Sequence, residues 1–134
     1  MNVLIVDTSS WISYFKGANS FDDLDLALKE GRVYLPSLVA AELLSATLSA
    51  SERSDLIDFL KELQLCDSSF EHWTRVGALR AELSKRGLHV STPDAHIAQC
   101  SIDLKGYLLT EDRIFKKITD SHPLRLLGIP QYCF

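Results

Sequence analysis

The strongest constraint on the fold is a short, unbroken run of branched apolar residues at 3–6 (VLIV), which ends at Asp7. Such a run is typical of a strand buried on both faces, as in a parallel sheet. Similar short runs predict strands at 32–35, 106–109 and 124–127, with a further candidate at 65–66. Between them the apolar spacing predicts helices at about 11–17, 21–29, 36–48, 51–63, 70–87 and 92–104, and a last one that residues 110–112 cap and that runs to about 117. The S-x-x-E sequence at 68–71 predicts a capping box at the start of the fifth helix. The alternation predicts an α/β fold around a mostly parallel sheet of four to five strands.

The length of 134 residues suits a single domain covering 1–134. No apolar run approaches the roughly 18–20 residues of a membrane span, and the start lacks the basic and long apolar segments of a signal peptide. We therefore expect a cytoplasmic protein with no membrane partner. Cys66, Cys100 and Cys133 are far apart and form no CxxC pair, which disfavours a zinc or disulfide framework and favours reduced thiols near a core.

Four acidic residues follow or flank the predicted strands and helix starts. Asp7 ends the first strand, and Asp94 and Asp112 lie at helix starts. In open α/β sheets, sites gather beyond the carboxyl ends of the strands. Glu42 lies about one and a half turns into the helix after the second strand, and helical side chains lean toward the N-terminus, so it can reach the same edge.

Acids converging at one edge repel one another unless a cation neutralises them, and oxygen ligands suit Mg²⁺ or Mn²⁺. The short hydroxyls of Thr8, Ser9 and Thr110 lie beside the acids, where they can orient ligand carboxylates or a water. Each acid also has an ordinary structural role open to it. An Asp in a first turn often only caps the helix, and Glu42 alone would be a solvated helix residue. The conjunction of the four acids is what favours a site.

The sequence around these acids resembles PIN-domain ribonucleases, and most closely the VapC-type toxins of type II toxin–antitoxin systems. Four blocks carry the resemblance, in the family's order and across nearly the whole chain: VLIVDTS at 3–9, PSLVAAEL at 36–43, TPDAHIA at 92–98 and LLTEDRIF at 108–115. The resemblance implies a three-layer α/β/α sandwich of the PIN type. It also implies a metal-dependent endoribonuclease toxin, in which a metal-activated water cleaves RNA and a cognate antitoxin inhibits the enzyme.

Residue roles carry over by the same resemblance. Asp7 and Asp94 match direct metal ligands, Glu42 matches a ligand or a base acting through water, and Asp112 matches an acid often bound through water. Thr110 matches a hydroxyl that supports the pocket, with Mg²⁺ or Mn²⁺ as the implied cofactor. The family also implies a structured RNA substrate, such as tRNA or rRNA, and a homodimer.

Alternatives remain open at this level. The chain can instead be a non-catalytic α/β interaction module that keeps its acids for stability, and a phospho-acceptor receiver is a weaker option because no second acid adjoins Asp7. Glu111 is a spare carboxylate of unassigned role, and His96 is expected to face solvent or contact RNA. A cluster of aromatic residues and a helical apolar stripe can be core or an antitoxin groove: Trp11, Tyr14, Phe15, Phe21, Leu56, Ile57, Leu60 and Leu63.

Charge does not exclude an RNA substrate. The chain has 14 basic and 18 acidic residues and thus a net charge of −4, so it is not a strongly basic nucleic-acid-binding protein. The deficit of four equals the four acids of the candidate site. The basic excess lies in the second half, where Arg113, Lys116 and Lys117 are either a solvated helix end or phosphate contacts.

Overall fold

The computed structural model describes residues 2–17 and 20–128, so Cys133 lies outside the described residues. Strands and helices alternate as the sequence predicts. The strands are β1 (Leu4–Val6), β2 (Val33–Leu35), β3 (Gln64–Leu65), β4 (Tyr107–Leu109) and β5 (Arg125–Leu127). The helices are α1 (Thr8–Lys16), α2 (Asp22–Lys29), α3 (Ser37–Leu44), α4 (Ala50–Lys61), α5 (Phe70–Lys85), α6 (Thr92–Leu104) and α7 (Ile114–Ile118).

The five strands form one parallel sheet in the order β3-β2-β1-β4-β5, with β1 at the centre. The residues of β1 are buried throughout, as the apolar run predicts. Along the chain, β2 and β3 are added on one side of β1, and β4 and β5 are then added on its other side. Because parallel crossovers are right-handed as a rule, connections made toward opposite edges of the sheet place their helices on opposite faces. This arrangement confirms the predicted α/β/α sandwich. Within the described residues no helix is long and apolar enough to cross a membrane.

Close approach of β4 to β1 depends on a glycine at the start of β4. A Cβ on Gly106 would lie 2.7 Å from the backbone oxygen of Val3, closer than real Cβ atoms come. The next residue, Tyr107, donates its N–H to the same oxygen at 2.9 Å. Gly106 thus permits the pairing that aligns the ends of β1 and β4.

Helix starts differ in detail from the prediction. The helix α1 begins at Thr8 rather than near residue 11, because the Asp7 carboxylate caps it by accepting the N–H of Ser10. The predicted capping box at 68–71 is wrong, since the cap of α5 is Ser69, whose hydroxyl accepts the N–H of His72. A box with both hydrogen bonds exists instead at Ser49, at the start of α4.

The segment predicted as one helix from 36 to 48 is shorter. The helix α3 ends at Leu44, and Ser49 caps a new helix a few residues later. The aromatic cluster is divided between core and surface. Trp11 and Phe21 are buried, whereas Phe15 stacks on Trp11 and is 46% exposed. Of the helical stripe, Leu60 is buried and Leu56, Ile57 and Leu63 are partly buried.

Candidate functional site

The four predicted acids come from four different elements. Asp7 stands between β1 and α1, and its N–H donates to the carbonyl of Leu109 at the end of β4 at 3.2 Å. Glu42 is on α3, Asp94 lies in the first turn of α6, and Asp112 lies between β4 and α7. The parallel strands end at one edge of the sheet, so the loops that follow β1 and β4 bring Asp7 and Asp112 together there.

Asp7 is the most tightly held of the four. Its side chain is buried, and three donors meet its carboxylate. Oδ1 accepts the Ser10 N–H at 2.9 Å and the Ser9 hydroxyl at 3.1 Å, and Oδ2 accepts the Thr110 hydroxyl. Burial raises the pKa of Asp7, and these hydrogen bonds partly offset the rise. The carboxylate is therefore fixed in orientation while its negative charge remains poorly solvated.

Thr110 joins two of the acids. The residue is fully buried, and its hydroxyl donates to Asp7 while accepting the N–H of Asp112 at 3.0 Å. Asp112 in turn accepts the N–H of Ile114 through Oδ1 at 2.9 Å. One hydroxyl thus sets the spacing of Asp7 and of the loop that carries Asp112.

Glu42 reaches back to the sheet edge as predicted. Its Oε1 accepts the Thr8 hydroxyl at 3.1 Å, across 34 positions in sequence. Since Thr8 directly follows Asp7, this hydrogen bond ties α3 to the residue pair at the end of β1. The Glu42 side chain is exposed, in contrast to Asp7.

Asp94 is half-buried at the start of α6, where Ser91 caps the helix by accepting the Asp94 N–H at 3.2 Å. Burial is the largest cause of a raised pKa at Asp94, and the Ser91 side chain opposes it. The negative charges of Asp112, Asp7 and Glu42 raise this pKa further. The four carboxylates therefore lie within electrostatic reach of one another.

This donor set fits a hard divalent cation. Carboxylate oxygens at a partly open site are what Mg²⁺ and Mn²⁺ prefer, and a cation would relieve the repulsion that raises the pKa of Asp94. The hydroxyls of Thr8, Ser9 and Thr110 each donate to a carboxylate, which holds the acids in position.

Other charged groups flank the acids. Arg113, Lys116 and Lys117 are exposed on and beside the short helix α7, next to Asp112. Glu111 points partly inward, and its Oε1 is buried without a hydrogen-bond partner among the residues described.

The expectation for His96 is wrong, because its ring is fully buried. Its Nδ1 is 2.6 Å from Nε2 of His72, and the Trp73 indole stacks on it. Burial lowers the pKa of His96 to about 4, so the ring is neutral at physiological pH. The helix α6 is buried from Ala95 to Ser101 without interruption, so it has no solvent face at this position.

Sequence reasoning missed the group that this histidine belongs to. His72, His96 and Cys100 are buried, and one potential ligand atom from each lies within 4.8 Å of the others. Spacing gave one signal, since His96 and Cys100 are four residues apart and thus share a helix face. His72 comes from a different helix, and no local pattern connects it with them.

Comparison with known proteins gives concordant results. The family model of the PIN domain matches residues 4–120. A curated protein called ribonuclease VapC2, from Rickettsia felis, is 30% identical over 103 residues, which are 73% of this chain and 77% of that protein.

Solved structures of similar fold come from toxin–antitoxin complexes. A chain of VapBC2 from Rickettsia felis, bound to a promoter DNA fragment, has a TM-score of 0.76 and 26% identity, covering 94% of this chain and 98% of that one. A chain of DNA-bound VapBC from Salmonella typhimurium has a TM-score of 0.79 and 22% identity, covering 99% of this chain and 100% of that one. The second likeness, at lower identity, shows the fold alone.

Proposed function

This chain belongs to the PIN-domain family, and on that premise we propose that it is an endoribonuclease toxin that a cognate antitoxin inhibits. The single observation that carries the proposal is the set of hydrogen bonds at one sheet edge that links Asp7, Glu42 and the loop of Asp112, with Asp94 at the start of α6 beside them. The similarity to a protein called ribonuclease VapC2 supports RNA as the substrate.

In this proposal Asp7 and Asp94 hold a divalent cation, Mg²⁺ or Mn²⁺, with Asp112 and Glu42 completing the site. When bound there, the cation would lower the pKa of a water at the site and would neutralise negative charge on the phosphodiester. The ligand carboxylates keep their orientation because Asp7 accepts three hydrogen bonds, one of them from Thr110, which also fixes the Asp112 backbone.

The exposed Glu42 carboxylate accepts the proton of the attacking water, while Thr8 holds its Oε1. In-line attack on phosphorus breaks its bond to the 3′ oxygen, which takes a proton from solvent as it leaves. The products therefore carry a 5′-phosphate and a 3′-hydroxyl. The protein contributes mainly positioning and charge stabilisation. The exposed cations of Arg113, Lys116 and Lys117 contact the phosphates of a structured RNA such as tRNA or rRNA.

The partners follow from the same premise. We propose that a cognate antitoxin covers an apolar patch on α1 formed by Ile12 and Phe15, which are 43% and 46% exposed. The similarity to chains from toxin–antitoxin complexes supports such a partner. A homodimer, a cytoplasmic location and a single PIN domain over 1–134 complete the proposal.

The test is cleavage of purified tRNA and rRNA by the purified chain, with Mg²⁺ or Mn²⁺ and with EDTA. We expect cleavage that EDTA stops and products that carry 5′-phosphates. Glu42→Gln should abolish cleavage, because the remaining amide cannot accept the proton.

The matched control is Asp58→Asn, which removes an exposed acid of α4 outside the site and should cut like wild type. Wild-type protein that folds and binds Mn²⁺ but cuts neither RNA would overturn the proposal and favour the non-catalytic interaction module. If Glu42→Gln cuts RNA as fast as wild type does, Glu42 is not the group that accepts the proton of the attacking water.

A further inference from the structure

A second group of potential metal ligands lies in the core, apart from the acids. His72 comes from the first turn of α5, His96 and Cys100 from one face of α6, and Cys66 directly follows β3. Their exposures are 1%, 0%, 2% and 6%. Nitrogen and sulfur donors from three separate segments are thus buried in the same part of the core.

The donor atoms face one another. His72 Nε2 is 2.6 Å from His96 Nδ1, and Cys100 Sγ is 3.9 Å from the same nitrogen. With tetrahedral zinc–nitrogen bonds of 2.0–2.1 Å, two ligand nitrogens lie about 3.3 Å apart, and a nitrogen and a sulfur about 3.6 Å apart. The two rings therefore need to separate by roughly 0.7 Å to admit an ion.

Cys66 is a further buried sulfur donor, and its side chain is the largest cause of the raised pKa of the Cys100 thiol. It does not belong to the group of three whose donor atoms lie within 4.8 Å of one another, so we assign it as the ligand that moves in to complete the site. An outer partner is also present. The other ring nitrogen of His72, Nδ1, faces Asp103 Oδ2 at 3.8 Å, and Arg75 holds that carboxylate at 3.0 Å. Metal-bound histidines are typically oriented by a carboxylate in this position.

Two contacts favour the ion-free state: the hydrogen bond between His72 and His96, which an ion would replace, and a contact from Leu38. The N–H of Leu38 points at Nε2 of His96, which favours the tautomer whose proton is on Nδ1, the nitrogen that would bind the ion. The distance of 3.4 Å is longer than the usual 2.7–3.2 Å range for such hydrogen bonds, so the contact favours this tautomer only weakly. Binding of an ion therefore requires the other tautomer of His96, in which Nδ1 carries no proton.

We propose that His72, His96, Cys100 and Cys66 form a buried binding site for a soft divalent cation of the zinc class. The two sites in the chain divide by chemistry, because nitrogen and sulfur donors select zinc while carboxylates select Mg²⁺ or Mn²⁺. A cation here ties the end of β3 and the start of α5 to α6, the helix that begins beside Asp94. Because both thiols must lose their protons, binding weakens as the pH falls.

The test uses the full chain purified without a histidine tag and without chelators from zinc-supplemented cells. We expect about one zinc ion per chain by elemental analysis, as for a closed four-ligand site. Replacement by Co²⁺ should give thiolate-to-cobalt charge-transfer bands, and the tetrahedral visible bands should accompany them. These measurements on wild type need no variant to fold.

Cys100→Ser should lose the charge-transfer intensity that its thiolate provides and should bind zinc at least tenfold more weakly. His89→Gln, which changes an exposed histidine outside the cluster, should retain full zinc content, as should Asp94→Asn. A wild-type chain without zinc that gives no cobalt bands in titration would overturn the proposal. Loss of zinc in Asp94→Asn but not in Cys100→Ser would also overturn it, by assigning the ion to the acids. No outcome depends on RNA cleavage.

Discussion

Replacing Thr110 by valine removes one hydroxyl and keeps the shape of the side chain. The hydroxyl is buried, donates to the Asp7 carboxylate and accepts the N–H of Asp112. A hydrogen bond to a charged group contributes about 1.5–3 kcal/mol, and a neutral bond about 1 kcal/mol. Thr110→Val should therefore lower the free energy of unfolding by about 3 kcal/mol. For a chain of 134 residues this corresponds to a Tm about 10 °C lower.

The loss should depend on pH with a definite sign. The Thr110 hydrogen bond favours the charged form of Asp7, whose pKa burial has already raised. Removing it raises that pKa further, and an acid with a raised folded pKa loses stability as the pH rises through that value. The variant should thus be closest to wild type in acid, where Asp7 is protonated, and should fall behind as the pH rises.

Urea unfolding from acidic to neutral pH, with EDTA present, measures this difference. Thr110→Ser is the matched control, since it keeps the hydroxyl and should show no growing deficit with pH. A valine variant as stable as wild type at neutral pH would refute the argument. So would a deficit of equal size at every pH, which would indicate lost packing rather than a lost bond to a carboxylate.

Three further changes test other parts of the structure. Asp94→Asn removes a charge that burial and the neighbouring acids destabilise, so in EDTA it should raise the free energy of unfolding by about 1 kcal/mol after discounting for solvent. Mn²⁺ should not raise the Tm of this variant in a thermal-shift assay. A lower free energy of unfolding in EDTA would contradict this reasoning. Gly106→Ala should destabilise the fold by about 2–3 kcal/mol in urea unfolding, because the added Cβ meets the Val3 carbonyl. The control Gly77→Ala adds its Cβ in open space on a helix and should stabilise the fold by about 0.5–1 kcal/mol. Equal effects of the two changes would refute the steric argument. Phe15→Ser should abolish co-purification of a co-expressed cognate antitoxin, while the rate of RNA cleavage stays at the wild-type value. If the antitoxin still co-purifies with this variant, the proposed interface on α1 is wrong.

The sheet and the neighbourhood of the acids were predictable because both depend on local signals. An unbroken apolar run followed by Asp7 indicates a buried strand with a carboxylate at its end. The position of Glu42 one and a half turns into α3 was enough to infer its reach, which the hydrogen bond from Thr8 confirms.

The burial of His96 was not predictable for a physical reason. An apolar stripe at 97, 100 and 104 predicts a helix with one buried face, but α6 is enclosed by the sheet, α3 and α5. His72, which satisfies His96 by a hydrogen bond, is 24 positions away, and the distance in sequence conceals the pair. The predicted capping box at 68–71 was wrong for a simpler reason. Serines 68 and 69 are adjacent and either one can cap the helix, and the structure uses Ser69.

The most direct test of the acidic centre is the anomalous diffraction of crystals of the chain grown with Mn²⁺ and collected at the manganese edge. We expect a manganese peak bonded to carboxylate oxygens of Asp7 and Asp94, with Glu42 and Asp112 beside it. Manganese bound only elsewhere, with those carboxylates unliganded at saturating Mn²⁺, would contradict it.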